Sequence, residues 1–152
     1  MEIAFQVAVL LFSVVIHEVS HGFVAEMLGD PTARRAGRLT LNPLKHLDPF
    51  GSVLLPLLLS LIPGGIVFGW AKPVPYDPRN LKDPVRGGAL IAAAGPLSNF
   101  TLAIIFGIVL RLVLASGGTA LTALPGLLAT IVIVNISLGV FNLVPIPPLD
   151  GS

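Results

Sequence analysis

Long apolar segments constrain this chain more than any other feature of its sequence. Three of them, at about residues 3–28, 87–115 and 121–144, exceed the ~20 residues that a helix needs to cross a bilayer. Hydrophobic residues make up 54% of the 152 residues and charged residues only 11%, against roughly 25% charged in a soluble domain. The sequence therefore predicts an all-α integral membrane protein with three spanning helices.

A fourth apolar stretch, at about residues 50–68, is interrupted by Pro56 and by Pro63-Gly64-Gly65. The loops on either side of it, residues 29–49 and 69–86, are both basic, and the positive-inside rule places both of them in the cytoplasm. This stretch is then expected to enter the membrane and return to the same side. Broken helices of this kind are tolerated where protein or water covers their free backbone groups.

Two short segments within the loops have the composition and the boundaries of β-strands. They are Arg38-Leu39-Thr40-Leu41 and Ile66-Val67-Phe68-Gly69-Trp70. We expect them to form a small membrane-associated β element, whose exposed edge could hold an extended peptide by strand addition.

The charge and the cysteine content exclude several classes of function. A formal net charge of +1 argues against nucleic acid as a partner. The absence of cysteine excludes a disulfide framework, a thiolate metal site and a cysteine nucleophile.

The first apolar segment contains a His-Glu-x-x-His motif, His17-Glu18-Val19-Ser20-His21. Residues four apart share one face of a helix, so His17 and His21 can bind one zinc ion together. Glu18, beside them, can act as a general base towards water. The alternative is an accidental polar patch in a helix bundle, but ionisable groups are costly to bury in a membrane and by default indicate function.

A catalytic zinc ion usually has a third protein ligand, and the sequence alone identifies it poorly. Asp150 is the one other acidic residue that closes a long apolar helix, within Pro147-Pro148-Leu149-Asp150-Gly151. The same composition is common in turns, so Asp150 could equally be a turn residue. Asn99, Asn135 and Asn142 could likewise serve only as hydrogen-bonding partners between helices.

Three motifs in order along the chain resemble those of the site-2 protease family, which are intramembrane zinc metalloproteases. They are His17-Glu18-x-x-His21, Gly95-Pro96-Leu97-Ser98-Asn99 and Asn142-Leu143-Val144-Pro145-Ile146-Pro147-Pro148-Leu149-Asp150-Gly151. Two loop segments are similar to a compact prokaryotic branch that lacks PDZ domains. These are Gly37-Arg38-Leu39-Thr40-Leu41-Asn42-Pro43 and Gly69-Trp70-Ala71-Lys72-Pro73-Val74-Pro75.

The resemblance implies an intramembrane zinc endopeptidase with one catalytic Zn²⁺. In that case His17, His21 and Asp150 bind the metal, and Glu18 activates water. Asn142 would position the substrate backbone or the developing oxyanion, and Asn99 would also contact the substrate. The expected substrates are single-span membrane proteins, such as anti-sigma factors or signal-peptide remnants. The expected location is the plasma membrane of a prokaryote, in contact with lipid, with the metal site towards the cytoplasm.

A rival interpretation is a catalytically inactive membrane protein of the same fold that binds a metal or a partner helix. The intact Glu18 argues against it, since metal binding alone needs no general base. Members of the family continue past the Asp-Gly motif into a further helix. We therefore expect residues 1–152 to be a single protease core truncated at its C-terminus, or one in which homo-oligomer contacts replace that helix.

Overall fold

The computed structural model describes residues 2–61, 71–116, 123–146 and 149–151. These residues form five α-helices, namely α1 (Glu2–Met27), α2 (Thr32–Arg35), α3 (Leu55–Ser60), α4 (Pro84–Ala115) and α5 (Leu124–Asn142). A π-helical segment, Pro49–Leu54, leads directly into α3, and single 3₁₀ turns lie at Pro43–Lys45 and Pro78–Asn80. The described part of the chain contains no β-strand.

The predicted spanning helices are present as α1, α4 and α5, which are the three described helices long and apolar enough to cross a membrane. Helix α4 begins at Pro84, earlier than the apolar run that starts at residue 87. Asp83 caps it, because the Asp83 Oδ1 atom accepts a hydrogen bond from the Arg86 N–H at 3.1 Å. Proline suits the first helical position, where its missing N–H costs nothing. Hydropathy misses this turn because it contains a charged residue.

The three long helices pack against one another as a bundle. Their outward faces are apolar, as shown by the exposed side chains of Ile3, Ile104 and Ile133. The buried contacts between them instead include several polar side chains, Ser13, His17, His21, Asn99 and Asn135. A bilayer requires this arrangement, because polar groups inside it need protein partners.

The connection between α1 and α4 begins and ends at one end of the bundle. The buried Asp30 carboxylate, just after α1, accepts hydrogen bonds at 2.7 Å from both the Asp77 N–H and the Asn80 Nδ2 atom. Further along, the Lys72 N–H donates to the His46 carbonyl oxygen at 2.9 Å. The described residues on the two sides of the second apolar stretch therefore lie close together.

The strand predicted at residues 38–41 is wrong, since Leu39 and Thr40 form bends and Arg38 and Leu41 have no regular secondary structure. The Arg38 N–H donates to the Ala33 carbonyl at 3.0 Å, and the Thr40 N–H donates to the Arg38 carbonyl at 2.9 Å. The Arg38 guanidinium turns inward to the Lys45 carbonyl. These local hydrogen bonds thus occupy backbone N–H and carbonyl groups that would have to pair with a neighbouring strand. The second predicted strand, at residues 66–70, and the end of the apolar stretch, residues 62–68, lie outside the described residues.

Asp30 is a fully buried carboxylate outside the spanning helices. Its burial raises the pKa of the carboxyl group. The hydrogen bonds from Thr32, from the Asp77 N–H and from Asn80 outweigh that effect, so the pKa lies below its ordinary value. A carboxylate of this kind stabilises the fold above its ordinary pKa and loses that contribution as the pH falls through the lowered one.

We expect Asp30→Asn to lower the free energy of unfolding by about 2 kcal/mol at neutral pH, because a buried donor left without an acceptor costs about 1–3 kcal/mol. The difference from the wild type should shrink as the pH falls below about 4, because the Asp30 carboxyl group of the unfolded wild type then takes up a proton while the folded protein still holds the carboxylate. Thermal unfolding in detergent micelles over a series of pH values measures both effects.

The matched control is Asp83→Asn, which changes an exposed capping carboxylate and should be close to neutral, because Asn caps helices about as well as Asp. An Asp30→Asn variant as stable as the wild type at neutral pH would show that Asp30 does not fix this connection.

Candidate metal centre

Helix α1 brings His17 and His21 onto one face, one turn apart. Their ring centroids are 4.7 Å apart and the rings are nearly perpendicular, at 82°. Both side chains are buried. The helical spacing therefore presents two imidazoles to a common point inside the bundle, as the motif predicts.

Asp150 reaches the same point from the turn that follows α5. Its Oδ2 atom lies 2.8 Å from His17 Nε2 and 3.2 Å from His21 Nε2. The turn closes through a hydrogen bond of 2.8 Å from the Gly151 N–H to the Asn142 carbonyl. A Cβ atom on Gly151 would lie 2.5 Å from the Leu143 carbonyl oxygen, so only glycine fits this close approach.

The Nδ1 atoms of both histidines are held by α4, on the side of each ring away from Asp150. His17 Nδ1 lies 2.6 Å from Asn99 Oδ1, and His21 Nδ1 lies 2.6 Å from the Ile91 carbonyl oxygen. Both partners are oxygen acceptors, so each ring donates from Nδ1 and presents Nε2, on the side of Asp150, as the atom that could bind a metal. Metal-binding histidines are typically oriented in this way by partners outside the ligand shell.

Gly95 of α4 provides the space in front of the two Nε2 atoms. A Cβ atom at Gly95 would lie 2.5 Å from His17 Nε2 and closer still to His21 Nε2. Any larger residue would therefore occupy the position where the two imidazoles converge.

Glu18 lies beside the metal-ligand candidates and points towards the segment of residues 71–77. Its Oε2 atom accepts a hydrogen bond of 3.0 Å from the Val74 N–H. The Val74 side chain packs over Gly22, where a Cβ atom would lie 2.6 Å from a Val74 methyl group. Residue 74 therefore fixes both the position of this segment on α1 and the direction of the Glu18 carboxylate.

The two asparagines predicted to contact substrate occupy different environments. Asn99 is fully buried, and its amide joins His17 to Asn135. Asn142 is partly exposed, and its Nδ2 atom donates to the Leu138 carbonyl of its own helix at 3.0 Å. The substrate-contacting role predicted for each stays a prediction.

Gly95, Ser13 and Asn135 were not predicted to be part of this site. Ser13 lies one helical turn before His17, so its place on the same face was readable from the spacing. The sequence identifies Asn135 only as a polar residue in an apolar helix. Gly95 lies within a motif of the family, but nothing local indicated that it faces the two histidines.

The three donor atoms fit a zinc ion. One ligand atom from each of His17, His21 and Asp150 lies within 4.8 Å of the others, and this is the one such cluster in the described part of the chain. His21 Nε2 is buried and has no hydrogen-bond partner other than Asp150, the third candidate ligand, at 3.2 Å. Two imidazoles and a carboxylate are a common set of ligands for a catalytic zinc ion.

Comparisons with known proteins agree on one family. The sequence model described as peptidase family M50 matches residues 5–124. A Bacillus subtilis protein named "Putative zinc metalloprotease YwhC" is 44% identical over 149 residues, which are 95% of this chain and 64% of that protein. A Mycolicibacterium smegmatis protein named "Putative zinc metalloprotease Rip2" is 32% identical, over 93% of this chain and 52% of its own length.

A more distant relative is archaeal. A zinc metalloprotease of Methanocaldococcus jannaschii is 33% identical over 95% of this chain, but over only 31% of its own length. The chain thus spans less than two thirds of each of these relatives. No solved structure gives a significant match.

We expect Gly95→Ala to weaken zinc binding at least about 10-fold, because the added methyl group must displace one of the two imidazoles. Gly107→Ala, in the same helix, is the matched control, since its Cβ atom would meet one neighbouring carbon at 4.0 Å, an ordinary contact. Competition with a chelator in detergent micelles measures both affinities. Equal affinity in the two variants would show that zinc does not bind in front of Gly95.

Proposed function

Because the chain belongs to peptidase family M50, the site-2 protease family, we propose that it is a zinc endopeptidase that hydrolyses peptide bonds within membrane-spanning segments of other membrane proteins. The convergence of His17, His21 and Asp150 supports this proposal most directly. These residues are the proposed metal ligands, and Glu18 is the proposed general base.

The zinc ion, when bound, supplies a Lewis acid that polarises the scissile carbonyl and lowers the pKa of water from 15.7 to about 7. Glu18 takes the proton from the attacking water and passes it to the leaving amine. A general base of this kind typically contributes 10²–10⁴-fold to the rate. The Val74 N–H holds one carboxylate oxygen of Glu18, which leaves the other oxygen for the proton.

Asn142 is the proposed donor to the developing oxyanion. It lies at the end of α5, seven residues after the fully buried Asn135, at the point where the helix is followed by the turn that carries Asp150. Its bond to the Leu138 carbonyl would have to open for its amide to reach a substrate. One donor to an oxyanion can contribute roughly 2.7–4 kcal/mol to transition-state stabilisation.

A helical substrate must unwind before attack, and its freed backbone groups then need partners. The strand predicted at residues 66–70 could supply them at its edge, but residues 72–75, which follow it, offer no free N–H group. Lys72 and Val74 donate within the protein, and Pro73 and Pro75 have no N–H. The proposed edge therefore remains that of the strand predicted at residues 66–70.

The orientation proposed for the protein is that the metal site faces the cytoplasm of a prokaryotic cell. Eight of the nine lysine and arginine residues lie in the connection between α1 and α4 or in the first turn of α4. That connection lies at the end of the bundle nearer to His21, and the positive-inside rule places it in the cytoplasm.

The second apolar stretch is proposed to be re-entrant. Its flanking residues His46 and Lys72 are hydrogen-bonded to each other. Its described helical part, Pro49–Leu54 and Leu55–Ser60, is about 18 Å long at 1.5 Å per residue, against the ~30 Å thickness of the hydrocarbon core.

We expect Glu18→Gln to retain one zinc ion per chain and to lose at least about 100-fold of proteolytic activity, because the substitution removes the base and no ligand. Asp150→Ala should weaken zinc binding, because it removes a ligand. Zinc content is measured on the purified chains. Proteolysis is measured as new peptide termini within spanning segments, in membranes from cells that express each form.

Two results would contradict the proposal. One is a folded wild type that binds no zinc. The other is a set of cleavage termini that is the same with Glu18→Gln as with the wild type. Zinc binding without any cleavage by the wild type would instead favour the rival interpretation, a metal-binding protein that has lost protease activity.

A further inference from the structure

A buried chain of side-chain hydrogen bonds leads from His17 across all three long helices. His17 Nδ1 lies 2.6 Å from Asn99 Oδ1 on α4, and Asn99 Nδ2 donates to Asn135 Oδ1 on α5 at 2.9 Å. Asn135 Nδ2 then donates to Ser13 Oγ on α1 at 3.0 Å. All four side chains are at most 5% exposed, so water does not replace these bonds.

Which atom donates and which accepts in each of these hydrogen bonds is determined at Asn135, the residue two steps from His17. Asn135 Nδ2 also lies 2.9 Å from the Ile131 carbonyl oxygen, which can only accept a hydrogen bond. The nitrogen end of the Asn135 amide must therefore face Ile131, and its oxygen end must face Asn99. Asn99 must in turn present its nitrogen to Asn135 and its oxygen to His17. An amide oxygen only accepts, so His17 carries its proton on Nδ1.

On this basis we propose that Asn135 is a positioning residue that holds His17, through Asn99, in the tautomer whose Nε2 atom can bind a metal. The inference rests on the proposed zinc site. Without Asn135, the Asn99 amide is free to turn over and present its nitrogen to His17 Nδ1. That arrangement stabilises the opposite tautomer, in which Nε2 carries the proton and cannot bind zinc.

The two histidines differ in what fixes them. His21 Nδ1 lies against the Ile91 backbone carbonyl, whose polarity cannot reverse. His17 depends on two amide side chains, each of which can rotate. A loss of Asn135 should therefore affect His17 and leave His21 unchanged.

The first readout is the tautomer of His17 in zinc-free protein, measured from ¹⁵N chemical shifts of histidine-labelled protein in micelles. It is measured in an Asp150→Ala background, because the Asp150 carboxylate lies 2.8 Å from His17 Nε2 and would itself favour a proton there. His17→Gln assigns the signal among the three histidines. In that background we expect the Nδ1–H tautomer when Asn135 is present and a substantial Nε2–H population with Asn135→Leu. His21 should keep the Nδ1–H tautomer in both.

The second readout is zinc affinity by competition with a chelator. Asn135→Leu should bind zinc about 10–100-fold more weakly, as is typical when the partner of a metal-binding histidine is lost. Asn135→Asp keeps an acceptor facing Asn99 and should restore most of the affinity. Ser13→Ala removes one of the two acceptors of Asn135 but leaves the Ile131 carbonyl, so it should keep both the tautomer and the affinity of the wild type.

Should Asn135→Leu fail to fold, Asn135→Ser replaces it, since its hydroxyl is too short to reach Asn99, and the same changes are expected. A folded variant of either kind with the wild-type tautomer and affinity overturns the inference and leaves the proposed protease intact. Absence of zinc from the wild type overturns the proposed function, while the tautomer of the zinc-free protein still decides the inference.

Discussion

Polar side chains buried among apolar helices must find hydrogen-bond partners within the protein, and the rest of this structure depends on that requirement. A buried polar group without a partner costs roughly 2–7 kcal/mol, and a bilayer offers no water to replace it. Asn99 and Asn135 meet the requirement by joining α4 to α1 and α5. The same bonds that hold the helices in register also orient His17, so the stability of the bundle and the geometry of the site have a common origin.

Backbone groups outside the spanning helices also find their hydrogen-bond partners within the protein. The irregular segment of residues 71–77 is fixed at three N–H groups, which donate to the His46 carbonyl, to Glu18 and to Asp30. Two of these acceptors are carboxylates, that of Glu18 within α1 and that of Asp30 just beyond its end. The segment is therefore positioned by the helix that carries the histidines, and it fixes the direction of Glu18 in return. Hydrolysis would need this arrangement, because a general base must be held within reach of the water that it deprotonates.

The sequence predicted those features that depend on local spacing. Hydropathy identified the three spanning helices, and the interval of four residues placed His17 and His21 on one face. Asp150 lies 133 residues further along the chain than His17, and only the resemblance to a family, not the local sequence, singled it out. The strand predicted at residues 38–41 failed because its backbone groups bond locally, which a pattern of alternating side chains does not reveal. The contact of Asn99 with His17 depends on how α4 faces α1, and a single sequence does not specify that.

The central claim is that zinc binds to His17, His21 and Asp150, and X-ray absorption at the zinc edge of the purified protein tests it most directly. The account predicts four nitrogen or oxygen ligands at about 2.0–2.2 Å, with outer-shell scattering from two imidazoles. The protein has three histidines, and the third, His46, lies in the loop between α2 and α3. Scattering from three imidazoles, or zinc surrounded by water oxygens alone, would contradict the account.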